Sequence, residues 1–365
     1  MTSPVKAALW FDRRAGLSEG RLAALRRETE AGNLVISHVG GEDASLPALP
    51  WAAERTDARA LRDCGADIVF HFEAAPSAVA GSHGKDRLKR LLPAGVLALG
   101  RRADILLRSE QKYRPWRDFD GWGKPLPREE RVSHGAFDPL SGQLDANRLI
   151  PARVLDVPGF RLDDYLRLRR EGISFVSDNC WGGLMYNTLG LEMRSPFINM
   201  FIRREHFARL LGDLPGYLAE PLVPLRLRQG QLGSTVYPIA ALGDVEIHLN
   251  HVFTPAQLQD YARAWYRRTD RFLFDRVMVQ TNFETPAIWQ RDREAFAALP
   301  WPKIAFTPFE VESEAGDVVW LDCVDQFKDG IAECSRALAK NALPSPIPYD
   351  FLDTYLNLKL SPPRE

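Results

Sequence analysis

Short apolar runs alternate with segments of helical spacing in the N-terminal part of the chain, and this alternation limits the possible folds more than any other feature. Strand-like runs lie at residues 5–10, 33–39 and 66–72, and residues 18–31 place leucines and alanines at helical spacing. Strand–helix–strand order is typical of parallel strands joined by helical crossovers. The sequence therefore predicts an α/β fold, with three α/β/α layers around a mostly parallel sheet.

Composition along the chain divides it into three regions. Residues 1–110 carry the alternating pattern, including a further predicted helix at residues 85–92. Residues 111–150 hold four prolines and many charges among tryptophans, which favours an irregular connecting segment. Strand and helix patterns return in residues 151–365, so we expect either one large α/β unit or two α/β subdomains.

Charge, hydropathy and cysteine spacing exclude several classes of protein. The net charge is −1, with 47 Lys and Arg against 48 Asp and Glu, so no large positive field would attract nucleic acid. Charges closely follow the short apolar stretch near the start, which does not fit a signal peptide, and no run of about 18 uncharged apolar residues predicts a membrane span. The four cysteines form no CxxC pair. We expect a cytoplasmic protein with free thiols, and peripheral contact with a membrane remains open.

The first candidate for chemistry is the segment 177–183, which follows a buried strand-like run. Open α/β sheets bind ligands at the carboxyl ends of their strands, where this polar, glycine-containing loop is predicted to lie. Cys180 would be a nucleophile if a histidine or a helix N-terminus lowers its pKa. The alternative is a small buried cysteine beside a turn. The candidate residues here are Asp178, Asn179, Cys180, Trp181, Gly182, Gly183 and Tyr186.

The second candidate is the alternating run at residues 244–250, which predicts a strand. Its two-residue period places Asp244, Glu246 and His248 on one face, where a carboxylate can orient an imidazole as a general base. His251 falls on the opposite face unless the strand ends before it. The alternative is the ordinary solvent-facing side of an antiparallel strand. The spacing matches no standard metal motif, so we predict no metal ligands.

Two weaker candidates lie elsewhere. Arg267 and Arg268 follow Trp265 in a predicted helix and would hold a phosphate, although a solvated helix face is the favoured alternative. His71 and Glu73 end the strand at residues 66–72 and would lie at the carboxyl edge of its sheet. A lone histidine in such a place is more often structural.

Several motifs in order together resemble one family. The runs SDNCWGGLMYNTLGL, SPFINMFI, YP, DVEIHLNH and WYRR, between residues 173 and about 307, are similar to the family DUF1919, whose members are often labelled exopolysaccharide biosynthesis proteins. The chain departs from the family pattern at Asp178 and at residues 274–276. The matching positions are Asn179, Cys180, Trp181, Gly182, Gly183, Tyr186, Pro196, Phe201, Tyr237, Pro238, Asp244, His248, His251, Trp265, Arg267 and Arg268.

The resemblance implies an α/β/α domain and a transferase that acts on a sugar or lipid-linked saccharide of a bacterial surface polysaccharide. Acyl transfer from an acyl-CoA would use Cys180 as nucleophile, His248 as base and Asp244 as its orienting acid, with backbone N–H groups near Gly182 and Gly183 holding the oxyanion. One alternative is a glycosyltransferase with a nucleotide-sugar donor, in which Asp244 or Glu246 would deprotonate an acceptor hydroxyl and Arg267 and Arg268 would hold the donor diphosphate. The other is a polysaccharide-binding module without catalysis. The sequence identifies no cofactor.

Overall fold

A computed structural model of the chain describes most of the predicted elements. The described residues are 3–12, 15–42, 49–51, 53–57, 60–73, 116–128, 148–157, 159–229, 236–311, 317–327, 329–340 and Tyr355. The helix predicted at residues 85–92 lies outside them.

The described residues form thirteen strands and eight α-helices. The strands are β1 (Val5–Phe11), β2 (Leu34–Gly41), β3 (Glu54–Thr56), β4 (Ile68–Phe72), β5 (Leu149–Pro151), β6 (Ser174–Ser177), β7 (Phe201–Ile202), β8 (Leu222–Gln229), β9 (Val236–Leu242), β10 (Val245–His248), β11 (Val277–Asn282), β12 (Lys303–Thr307) and β13 (Val318–Trp320). The helices are α1 (Glu19–Glu30), α2 (Leu162–Glu171), α3 (Trp181–Leu189), α4 (Arg204–Gly212), α5 (Leu214–Ala219), α6 (Pro255–Thr269), α7 (Pro286–Ala297) and α8 (Ile331–Ala339).

The N-terminal sheet is parallel, with the strand order β3-β2-β1-β4-β5. Helix α1 connects β1 to β2 and begins after Ser18, whose hydroxyl accepts a hydrogen bond from the Arg21 N–H. The strands predicted at the start of the chain and the helix at residues 18–31 are confirmed. Strand β5 lies across the predicted domain boundary at residue 150.

The C-terminal half contains a second parallel sheet and an antiparallel one. The parallel sheet has the order β13-β12-β11-β6, and the antiparallel sheet, with the order β7-β10-β9-β8, is built from the chain between β6 and β11. The predicted strand at 244–250 is β10, a central strand of the antiparallel sheet. The α/β class with mostly parallel sheets flanked by helices is thereby confirmed.

Of the four hydrophobic cores in the described residues, two are large and hold these layers together. The larger joins Leu9 and Phe70 of the N-terminal sheet to Phe175 and Phe306 of the second parallel sheet, with Trp181 packed among them. The smaller lies between the antiparallel sheet and helices α4, α5 and α6, and it includes Trp116 and Leu126 from the predicted connecting segment. Within the described part of the chain, no helix combines the length and apolar character that crossing a membrane requires.

Candidate active site

The structure brings the two predicted polar segments together at Cys180 and His251. Cys180 precedes the first residue of α3, directly after β6, at the carboxyl end of a parallel sheet. Strand β10 ends at His248, and a turn closed by a 2.9 Å hydrogen bond from the Val252 N–H to the Leu249 carbonyl follows it. The Cys180 Sγ lies 3.3 Å from the His251 Nε2. The turn therefore directs His251 toward the thiol.

Local burial keeps both members of this pair neutral near pH 7. Burial raises the pKa of the half-buried Cys180 thiol, and the charges of Arg336 and Lys340 partly oppose this effect. The His251 side chain is exposed, but protein atoms around its ring partly desolvate it, which lowers the pKa of the imidazole, and Arg336 lowers it further. The site thus holds a thiol beside a neutral imidazole that can accept its proton.

Side chains at the end of β6 cap the first turn of α3. The Asn179 Oδ1 accepts a 2.8 Å hydrogen bond from the Trp181 N–H, and the Ser177 hydroxyl accepts one of 3.2 Å from the Gly182 N–H. The Ser177 hydroxyl itself donates to the Asn179 carbonyl at 2.8 Å. The Gly182 N–H is therefore engaged, and the expected oxyanion contact there is not supported.

The glycines after Cys180 serve packing. They lie in the first turn of α3, whereas the sequence analysis placed them in a loop. A Cβ atom on Gly183 would lie 2.8 Å from the Ile198 Cγ2, and one on Gly182 would lie 3.1 Å from the Phe175 Cβ. Both glycines are buried and allow α3 to approach its neighbours.

The predicted aromatic site residues lie in the core. Trp181 is fully buried and meets Phe175 edge-on, with ring centroids 5.5 Å apart. The buried Tyr186 hydroxyl donates a 2.7 Å hydrogen bond to the Ile173 carbonyl and accepts one of 3.1 Å from the Phe175 N–H. Neither ring offers a platform for a sugar, because both faces are covered by protein.

Asp178 lies beside the end of the neighbouring strand β11. Its carboxylate accepts hydrogen bonds of 2.6 Å from the Thr281 hydroxyl and 2.7 Å from the Asn179 amide, which also reaches the Gln280 Oε1 at 3.2 Å. Burial raises the pKa of Asp178 to about 6, although the Thr281 hydrogen bond and the Arg204 charge oppose it. Asp178 and Asn179 thus form a hydrogen-bonded polar cluster with the end of β11, immediately before Cys180 in the chain.

His248 lies inside the antiparallel sheet. Its imidazole is fully buried, stacks on Phe201 with centroids 4.1 Å apart, and places Nδ1 3.5 Å from the Tyr237 hydroxyl. Burial lowers its pKa to about 4, and the charges of Arg228 and Arg203 act in the same direction. Among the described residues no hydrogen bond joins His248 to Cys180, so the structure pairs the thiol with His251 instead.

Asp244 and Glu246 are held in ion pairs on the antiparallel sheet. The exposed Asp244 carboxylate accepts hydrogen bonds of 2.6 Å from the Tyr217 hydroxyl and 2.7 Å from Arg209, and its pKa is lowered, chiefly by Tyr217. Glu246 is 2.6 Å from Arg226. The predicted arrangement of Asp244 orienting His248 is therefore not assembled.

The arginine pair of α6 is also separate from the thiol. Arg267 is exposed, whereas Arg268 is partly buried with its Nη2 3.5 Å from the Met193 Sδ. Burial lowers the pKa of Arg268. Trp265 is buried against Phe197. In the described structure no hydrogen bond links either arginine to Cys180 or His251.

Sequence reasoning missed the polar residues that end β11. Gln280, Thr281 and Asn282 are buried, and the Gln280 amide donates a 2.9 Å hydrogen bond to the Asn282 Oδ1. The run VMVQTN, in which apolar residues give way to polar ones, repeats the pattern at the end of β6 and would have indicated them. Arg336 of α8 lies too far along the chain for spacing to reveal its charge near the thiol.

Fold and site define an α/β protein with a cysteine–histidine pair at the carboxyl end of a parallel sheet. Residues 153–325, which include both members of the pair, match the family model described as Domain of unknown function (DUF1919). The resemblance found in the sequence is thereby confirmed. An uncharacterized protein of Haemophilus influenzae (strain ATCC 51907 / DSM 11121 / KW20 / Rd) is 26% identical over 167 residues, which span 42% of this chain and 76% of that protein.

Proposed function

We propose that this chain is a cysteine-dependent acyltransferase of the cytoplasm that modifies a sugar of a bacterial surface polysaccharide or of its lipid-linked precursor. The 3.3 Å contact between the Cys180 thiol and the His251 imidazole carries the proposal for the chemistry. The acceptor class rests on the family resemblance, and the location rests on the composition.

The first half of the reaction forms an acyl-enzyme. His251 takes the proton of the Cys180 thiol while the sulfur attacks the carbonyl carbon of an acyl-CoA thioester. The bond between that carbon and the sulfur of coenzyme A breaks, and His251 returns the proton to the departing thiolate. The products are free coenzyme A and a thioester on Cys180.

The second half passes the acyl group to the sugar. A hydroxyl of the acceptor loses its proton to His251 and attacks the Cys180 thioester. The carbon–sulfur bond breaks, the new ester leaves, and His251 protonates the Cys180 thiolate. The lowered pKa of His251 suits both steps, because the imidazole starts each one as a neutral base.

The two carboxylates considered as bases for glycosyl transfer are already paired. Asp244 is bound by Tyr217 and Arg209, and Glu246 by Arg226. A carboxylate held by an arginine is a weak base, since the cation favours its ionised form. We therefore prefer acyl transfer as the chemistry of this site.

A transfer assay with matched cysteine variants tests the proposal. The purified chain is incubated with acetyl-CoA and an oligosaccharide acceptor, and release of coenzyme A and acetylated sugar is measured. We expect Cys180→Ser to abolish turnover. Cys64→Ser is the control, because Cys64 is also half-buried but lies in the N-terminal region, with its thiol 3.0 Å from the Leu61 carbonyl.

Two results would overturn the acyltransferase. One is full activity of the Cys180→Ser variant. The other is turnover of nucleotide sugars, with release of the nucleotide, by a chain that leaves acetyl-CoA intact.

A further inference from the structure

The strand order of the N-terminal sheet reverses beside β1, and in open α/β sheets a crevice is expected at such a reversal. Chain order runs from β1 outward through β2 to β3, and then returns to β4 on the other side of β1. In parallel α/β sheets, ligands bind outside the carboxyl ends of the two strands where the order reverses. That place here is the end of β1 beside the end of β4.

An aspartate and a histidine meet at this place. The Asp12 Oδ1 lies 2.8 Å from the His71 Nε2, and the Asp12 N–H donates a 2.9 Å hydrogen bond to the Phe72 carbonyl. The two side chains are 29% and 12% exposed, so solvent reaches both. Among the described residues, Asp12 Oδ2 and His71 Nδ1 carry no hydrogen bond. They therefore offer one acceptor and one further imidazole nitrogen to a ligand.

A second carboxylate extends the same edge. Glu73 follows the end of β4 and forms an ion pair with Arg153, which comes just after β5. Arg153 also binds the Asn187 carbonyl at 2.9 Å and the Asn187 Oδ1 at 3.1 Å. These contacts fix the Glu73 side chain at the end of β4 and tie this edge of the sheet to the second half of α3.

The charges at this edge decide the class of ligand. Two carboxylates, Asp12 and Glu73, stand at the ends of β1 and β4 against one guanidinium, that of Arg153, so the edge keeps an excess of negative charge that disfavours phosphate. Carboxylate oxygens and an imidazole nitrogen accept hydrogen bonds from adjacent hydroxyl groups. We propose that Asp12, His71 and Glu73 form a second ligand site, apart from Cys180, that binds an uncharged vicinal diol such as that of a ribose or a hexose ring.

Ligand-observed saturation-transfer NMR tests the site with two uncharged probes. Uridine carries the diol on a ribose and methyl β-D-glucoside carries it on a hexose. Comparing the two probes therefore shows which kind of ring the site binds. We expect the wild-type chain to bind at least one of them, and to bind uridine more tightly than 2′,3′-dideoxyuridine. Uridine monophosphate should bind no better than uridine, because its phosphate faces the carboxylates.

Variants on the same sheet connect the binding to this pair. Two double variants remove the pair: Asp12→Ala with His71→Gln, and the gentler Asp12→Asn with His71→Gln. Each should weaken binding about tenfold or more, since charge-assisted hydrogen bonds are lost. Glu54→Gln is the matched control. It changes another carboxylate beside a histidine, with the His38 Nε2 3.6 Å from the Glu54 carboxylate, away from the crevice. Its binding should equal that of the wild type.

The outcomes separate this site from the proposed active site. Cys180→Ser should bind the diol as the wild type does, whether or not it transfers acyl groups. The second site is overturned if neither probe binds, if the Asp12 and His71 variants bind like the wild type, if Cys180→Ser loses the binding, or if uridine monophosphate binds more tightly than uridine.

Discussion

The Cys180 Sγ and the His251 Nε2 lie 3.3 Å apart although 71 residues separate them along the chain. Two features produce the contact. Cys180 sits where β6 turns into α3, and β10 ends early enough for the following turn to redirect His251. The thiol is also 3.8 Å from the Met200 carbonyl, just before β7, which pairs with β10. The antiparallel sheet therefore positions the imidazole against the thiol.

Replacing the base should slow the reaction without unfolding the protein. We expect His251→Gln to lower kcat/KM about 100-fold or more, which is the usual contribution of a positioned general base. The exposed imidazole supports no core, so the thermal unfolding temperature should stay near that of the wild type. Steady-state kinetics and circular dichroism together measure both effects, and an unchanged rate would remove His251 from the mechanism.

The acid side of the pH profile should report the same imidazole. The pKa of His251 is lowered from 6.5, so the base stays neutral, and the rate stays high, to pH values below 6.5. The pKa of Cys180 is raised from 9.0, so in the His251→Gln variant alkylation by iodoacetamide should increase only above pH 9. If the rate falls while the pH is lowered but is still above 7, this assignment is contradicted.

A substitution at Asp244 distinguishes the observed pair of Cys180 and His251 from the predicted arrangement in which Asp244 orients His248. Because Asp244 is bound by Tyr217 and Arg209 and does not orient His251, Asp244→Ala should keep the wild-type kcat/KM. The same assay used for His251→Gln provides the comparison. A loss of activity as large as that of His251→Gln would restore Asp244 to the mechanism.

His248 should make the folded state less stable in acid. Its pKa is lowered from 6.5 to about 4, so the unfolded chain binds the proton more readily. The contribution of neutral His248 to the free energy of unfolding is fully present above pH 6.5 and is lost as the pH falls toward 4. At pH 5 the loss is about 2 kcal/mol. Urea unfolding at pH 7 and pH 5 should show this loss in the wild type but not in His248→Gln.

The effect of Asp178 on the pH dependence of stability is opposite to that of His248, so the two contributions must be measured separately. Its pKa is raised to about 6, so its burial costs stability as the pH rises from 3.8 to 6. The difference between wild type and His248→Gln cancels the Asp178 contribution. An identical pH dependence in the two proteins would show that His248 is not buried as a neutral group.

The close approach of α3 should make Gly183 sensitive to a single methyl group. Gly183→Ala would place a Cβ 2.8 Å from the Ile198 Cγ2 and should lower the free energy of unfolding by about 1–3 kcal/mol. Gly212→Ala is the matched control, since nothing lies within 4 Å of its Cβ position at the end of α4. It should be neutral or slightly stabilising. Equal urea midpoints for the two variants would contradict the packing described.

Periodicity predicted the elements but not the partners within the site. The helix at residues 18–31 and the strand at residues 66–72 were predicted because helical spacing and apolar runs are local patterns, and α1 (Glu19–Glu30) and β4 (Ile68–Phe72) form there. The partner of Cys180 was mistaken because a two-residue period cannot show where a strand ends. The turn after His248 places the imidazole of His251, and not that of His248, beside the thiol.

The antiparallel sheet could not be predicted from the sequence for a related reason. Strands β8 and β9 pair across a connection that no short-range pattern specifies, and β7 has two residues. Burial of His248 follows from that pairing, because its neighbours Phe201 and Tyr237 come from different strands. Long-range pairing therefore decided which histidine stayed accessible.

Direct detection of the acyl-enzyme tests the central claim. The chain is mixed with acetyl-CoA in the absence of acceptor. Samples are quenched in acid after seconds and after minutes, and they are analysed by intact-protein and peptide mass spectrometry. We predict one acetyl group on the peptide that contains Cys180, formed much more slowly in His251→Gln. An acetyl group on another cysteine, or none on Cys180 while an acceptor sugar is still acetylated, would contradict it.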